Sequence, residues 1–112
     1  MFHVLNLHPE PFKAIKSGLK DIEMRLYDER RRNIKVDDEI EFISRENGEK
    51  LHARVIALHL FPSFNELYKA FPKSRLGYKE DEIPNPDDMG KYYSLEAREK
   101  YGVVGIEIKL IK

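Results

Sequence analysis

Apolar and polar residues alternate along several stretches of this chain, and each stretch ends on a turn-forming residue. Phe2-His3-Val4-Leu5-Asn6-Leu7 reads as a short strand, and Pro9 and Pro11 follow at positions where a helix begins. Phe12, Ala14 and Ile15, with Lys13 and Lys16 outward, predict a brief helix closed by Ser17-Gly18, because glycine suits the C-terminal cap. Ile22, Met24 and Leu26 then alternate with Asp21, Glu23, Arg25 and Tyr27. A period of two predicts a strand with its apolar face inward and its charged face outward.

Residues 28–35 read as a hydrophilic loop carrying Arg30-Arg31-Arg32, and Asp37-Asp38 forms a turn before a strand over 39–44. Asn47-Gly48 predicts a tight hairpin, since this pair accepts positive backbone angles, and 51–60 is the antiparallel returning strand. Ser63 with Glu66 is a capping-box pattern for a helix bearing Phe64, Leu67, Tyr68 and Phe71, which Pro72 stops. Residues 73–88 are poor in apolar side chains, contain Pro84, Pro86 and Glu80-Asp81-Glu82, and read as a long surface loop or lid. A helical turn over 89–93 and a Ser94-capped helix through Lys100 follow. Val104, Ile106, Ile108 and Leu110 mark the last strand. These elements predict an α+β fold, a single domain over 1–112. Its five to six mostly antiparallel strands, with three short helices in the connections, form a small closed or nearly closed β-barrel.

At 112 residues the chain supports one core. Its 20 Lys and Arg balance 20 Asp and Glu, which excludes a strongly basic nucleic-acid tail and leaves only local patches to attract phosphate. Cysteine is absent, which excludes disulfides, thiolate metal sites and a cysteine nucleophile. His3, His8, His52 and His59 lack metal-ligand spacing, and His52 and His59 fall on opposite faces of a regular strand, so neither metal nor cofactor is expected. No apolar run approaches the roughly 20 residues of a membrane span, and the first residues lack a signal-peptide pattern. A cytoplasmic protein without a membrane partner is expected.

The densest chemistry lies in Gly18-Leu19-Lys20-Asp21-Ile22-Glu23-Met24-Arg25. Glu23 and Arg25 project from the polar side of one strand with Lys20 just before it, either as a cleft or as an ion pair on an exposed face. An arginine fork suits phosphate or a base edge, a glutamate accepts from an amino group, and a lysine adds a compact charge. Arg30, Arg31 and Arg32 with Lys35 are either a phosphate patch or a solvated loop. Among Lys69, Lys73, Arg75 and Lys79, Tyr78 is the ligand candidate, whereas Phe71 keeps register with the core residues Phe64 and Leu67. Tyr92 and Tyr93 stand at a cleft mouth or in simple packing.

In the order Gly18-x-Lys20-x-x-Glu23-x-Arg25, after an N-terminal strand and a Pro9-x-Pro11-Phe12 helix start, the sequence resembles the ASCH domain family, whose fold is similar to the PUA domain. The resemblance continues through the Arg-rich loop, the strand over 34–42 and the closing segment 101–107, covering nearly the whole chain. It implies a β-barrel with a cleft beside the first helix that binds RNA or a nucleoside- or nucleotide-like ligand. Some members of the family hydrolyse the amide of N4-acetylcytidine and one is described as a ribonuclease. The amidohydrolases carry a nucleophilic threonine where Glu23 stands, helped by a lysine matching Lys20 and a second glutamate that has no clear counterpart here. A binding domain is therefore expected. The alternatives are a hydrolase using Lys20 and Glu23 on a nucleic-acid-derived substrate, and a protein-interaction module.

Overall fold

The computed structural model describes residues 1–111. Five strands and three helices follow in the order β1 (Phe2–Leu7), α1 (Pro9–Lys16), β2 (Ile22–Leu26), β3 (Glu39–Ser44), β4 (Lys50–Phe61), α2 (Phe64–Ala70), α3 (Leu95–Tyr101) and β5 (Val103–Leu110). Short 3₁₀ turns cover Arg31–Asn33, Lys73–Leu76 and Pro86–Lys91. The segment expected to be one long loop over 73–88 is therefore partly ordered by local hydrogen bonds. The Asn85 side chain accepts from Asp87 N at 3.0 Å to start the last of these turns.

The strands form one curled sheet in the order β1-β3-β4-β5-β2. β3–β4, β4–β5 and β2–β5 are antiparallel, as the alternation predicts, whereas β1 pairs with β3 in parallel because α1 and β2 intervene in the chain. β1 and β2 remain the two edges, so the small barrel expected, closed or nearly closed, takes the form of a curled half-barrel. The β3–β4 hairpin is also wider than the tight turn expected. Gly48 has φ +74°, but among the described residues Asp37 is the one non-glycine with positive φ, so Asn47 sits in the turn without the positive angle a two-residue Asn-Gly turn needs. Asn47 Oδ1 instead accepts from Glu49 N at 2.9 Å.

Two cores lie on opposite faces of the sheet. The first joins Leu5 and Leu7 of β1, Ile40 and Phe42 of β3, Ala53 and Val55 of β4, and Val104, Ile106 and Ile108 of β5, with Phe12 and Ile15 of α1 packed into it. The second gathers Ile22, Met24 and Leu26 of β2 with Phe64 and Leu67 of α2, Leu76 and Met89. Both faces of β5 are thus covered. Gly105 is needed there because a Cβ at this position would stand 3.1 Å from Ile22 Cγ2 and 3.5 Å from Leu67 Cδ1.

This two-sided covering reverses one expectation. Glu23 and Arg25 lie directly opposite Ile106 and Val104 on β5, so their side chains share the face of the first core and are not turned to solvent. A bulge between Val55 and Ala57 corrects another. It shifts the phase of β4 by one residue and brings His52 and His59 to the same face, each paired with a carboxylate, Glu41 and Glu107 respectively.

Candidate functional site

Lys20 reaches its place because the chain turns back after α1 through Gly18, whose φ is +87°, and Lys20 N then donates to Ala14 O at 3.0 Å. The next residue, Asp21, is gripped twice. Its N donates to Arg75 O at 3.1 Å, and its carboxylate accepts from Arg75 Nε at 2.9 Å and Nη2 at 3.2 Å. This clamp draws the turn at Lys73–Leu76 onto the start of β2 and delivers Gly77 to the lysine stem. A Cβ on Gly77 would stand 3.1 Å from Lys20 Cδ, and its φ of +99° suits glycine in any case.

At the floor, Lys20 Nζ lies 2.9 Å from Glu23 Oε1, and Arg25 Nε donates to Glu23 Oε2 at 2.7 Å. Arg25 Nη2 donates to Asn6 O at 3.0 Å and so spans from β2 to β1 across the open side of the half-barrel. The side chains of Lys20, Glu23 and Arg25 are 6%, 4% and 13% exposed, so two cations and one carboxylate are buried with an excess of one positive charge. Burial pushes the Glu23 carboxyl up, yet the two cations outweigh it and hold the group at about 2. Burial likewise lowers the Arg25 guanidinium, and Glu23 more than reverses the effect.

Above this floor opens a cleft of about 560 Å³ between the start of α1, β2 and the segments 76–82 and 88–93. Its wall is aromatic. Tyr68 and Tyr78 share a hydrogen bond of 2.8 Å, and Tyr78 Oη donates to Asp88 Oδ2 at 2.8 Å. Burial raises both phenols above their ordinary value. Tyr93 stacks against Phe64 with centroids 6.1 Å apart. Its phenol is raised by burial and drawn back in part by Arg25 and Arg31, which line the same cleft.

The sequence candidates separate. Lys20, Glu23, Arg25, Arg31 and Tyr78 all line this cleft. Arg30 is exposed, and Arg32 stacks 4.4 Å over the Tyr27 ring at a separate, shallower depression, so the three arginines do not form one patch. Arg31 is tied to Asp28 by an Nη1 to Oδ2 bond of 2.6 Å, while its buried Nε has no partner among the described residues. Of the tyrosines left open by sequence, Tyr92 and Tyr93 both line the cleft. Asn6, Arg45, Tyr68, Gly77 and Asp88 line it too and were not anticipated. Asn6 contributes a backbone carbonyl, which leaves no side-chain signal. Gly77-Tyr78 was the legible trace, a glycine followed by an aromatic inside a polar segment. Among the described residues no group of three or more His, Cys, Asp or Glu is placed to hold a metal ion, and no helix is long and apolar enough to cross a membrane.

The sequence profile of the ASCH domain family matches residues 5–112. The chain belongs to the ASCH domain family. Among solved structures, this ASCH domain is similar to a hypothetical protein, PH0355, with a TM-score of 0.80 and 35% identity over 99% of this chain and 100% of that one. It is similar to protein PF0455 from Pyrococcus furiosus, with a TM-score of 0.72 and 35% identity over 100% and 99%. An ASCH protein from Zymomonas mobilis shares the fold at a TM-score of 0.63 and 19% identity, over 95% of this chain and 65% of that one. A comparison with functionally curated proteins finds no match. The α+β half-barrel is thus the PUA-like fold of this family.

Proposed function

We propose that this ASCH domain binds RNA or a nucleotide-sized ligand in the cleft floored by Lys20, Glu23 and Arg25. The observation that carries the proposal is the buried excess of one cation at the foot of an aromatic-walled cleft. Burying an uncompensated charge is expensive in a purely structural role, but it suits a site that receives an electron-rich group. The tyrosine wall supplies flat surfaces against which a base stacks. A volume of about 560 Å³ falls within the range of ligand clefts and accommodates one nucleotide more readily than a folded polymer.

Binding stands ahead of hydrolysis because of the state of Glu23. A carboxylate held at about 2, with each oxygen already on a cation, is a weak general base near neutral pH. Efficient turnover of N4-acetylcytidine is therefore not expected. Calorimetric titration with nucleotides and short single-stranded RNA, at low and raised salt, tests the reading. Affinity falls with salt as phosphate contacts release counterions. Arg25→Lys, which keeps the charge and loses the fork, weakens binding by ~1–3 kcal/mol. Unchanged affinity in Arg25→Lys and Arg25→Ala alike, or turnover of N4-acetylcytidine that vanishes in Lys20→Ala, contradicts it.

A further inference from the structure

We infer that Arg75, which lies outside the cleft, is the positioning residue for its tyrosine wall: the chain Asp21–Arg75–Glu107–His59 holds Gly77 and Tyr78 against Lys20 and so sets how tightly the cleft binds nucleotide. The inference rests on the proposed nucleotide-binding reading and names the device that shapes the same site.

The four residues of this chain stand outside the cleft lining, yet the backbone beside two of them runs straight into it. Lys20 precedes Asp21, and Leu76, Gly77 and Tyr78 follow Arg75. Among the described residues, every hydrogen bond and ion pair from 73–78 to β2, β5 or the turn that enters β2 is made by Arg75, through its carbonyl or its guanidinium. Both sides of the close Gly77–Lys20 contact therefore depend on one residue. Leu76, buried in the second core, keeps the segment on the molecule, but apolar burial carries no direction and does not fix where Gly77 and Tyr78 stand. With Arg75 and Asp21 side chains 33% and 42% exposed, their pair adds little to global stability. What its loss changes is the place of the segment.

The guanidinium is itself aimed from behind. Arg75 Nη2 lies 3.3 Å from Glu107 Oε2, and its Cζ stands 5.4 Å from the centre of the Phe71 ring. Glu107 Oε1 in turn lies 2.9 Å from His59 Nε2, and the His59 ring meets Phe71 edge-on with centroids 5.0 Å apart. Glu107 is opposite Ile22 and His59 is opposite Gly105, so both side chains share the face of the second core, whereas Glu23 and Arg25 project to the first. Arg75 is thus forked between two carboxylates, and charge-assisted pairs of this kind fix direction as well as distance. The wall of the cleft is placed from the side of the sheet opposite its floor.

Calorimetry on the whole chain with the 5′-monophosphates of the common ribonucleosides, beside amide spectra of the free protein, tests this. Arg75→Gln removes a cation and Asp21→Asn removes an anion, so a mere change in the field around the cleft would weaken binding of an anionic nucleotide in the first and tighten it in the second. Loss of positioning weakens both. The expected result is a loss of about tenfold in each, and of about threefold in Arg75→Lys, which keeps the charge and one contact but not the fork. The urea midpoint stays close to that of the wild type, while the amides of Lys20, Gly77 and Tyr78 shift before any ligand is added. Variant affinities that match the wild type, or that move in opposite directions, overturn the positioning role and leave the nucleotide reading standing. A wild-type chain that binds none of the nucleotides overturns both.

Discussion

Glu23 holds one cation on each carboxylate oxygen, and with the side chains of Lys20, Glu23 and Arg25 6%, 4% and 13% exposed, water compensates these charges poorly. Removing the charge while keeping the shape is therefore costly. Glu23→Gln leaves Lys20 and Arg25 buried without a counterion, and a loss of about 3 kcal/mol is expected in urea denaturation at neutral pH. The outward orientation expected from alternation alone would make the same change nearly silent. The acid limb carries the same signature. Because the folded value is about 2 against an ordinary 4.5, Glu23 contributes stability above pH 4.5 that is lost as pH falls towards 2, on the order of 3 kcal/mol. Wild-type denaturation between pH 5 and pH 2 that parallels Glu23→Gln would show that the carboxylate is not held this way. Met24, 7% exposed on the opposite face, confirms the phase of the strand, and only the fate of its polar face escaped the sequence.

That escape has a physical cause at the level of elements. Alternation reports which residues differ in polarity, and the rule that polar residues face water holds only where one side of a sheet is open. β2 is sandwiched between the first core and the α2 side, so its charged residues had to satisfy one another. The strands, the Ser63 and Ser94 caps and the glycine after α3 were legible because each depends on neighbours in sequence. The bulge in β4 and the parallel β1–β3 pair were not, since both depend on where distant strands meet. Gly77 joins these levels. Gly77→Ala forces a side chain onto a φ of +99° and against Lys20 Cδ, so a destabilisation of ~1–2 kcal/mol is expected together with weaker ligand binding. Thermal unfolding and calorimetry check both halves. A variant as stable and as tight-binding as the wild type contradicts the contact.

Across the whole molecule, the cleft exists because the half-barrel stays open between β1 and β2. No backbone ladder joins these edges among the described residues, and Arg25 Nη2 bridges them through Asn6 O at 3.0 Å. One guanidinium therefore serves the architecture and the candidate site together. Membership of the ASCH domain family accounts for the scaffold, while the identity of the ligand depends on this chain's own floor and wall. The sequence marked Lys20, Glu23, Arg25, Arg31 and Tyr78 and left Tyr93 open between cleft and packing, but the wall that Tyr93 forms with Tyr68 needed tertiary structure. Their helical and turn positions look like ordinary packing until the segments meet.

The central claim is that nucleotide binds between this floor and this wall, and backbone amide shift mapping during a nucleotide titration tests it most directly. The account predicts perturbations concentrated at Lys20–Arg25, Gly77–Tyr78 and Met89–Tyr93, with Arg31 included and the outer sheet face around His52 and Glu41 unmoved. Shifts confined to that outer face, or to Arg30 and Arg32 beside Tyr27, would contradict it.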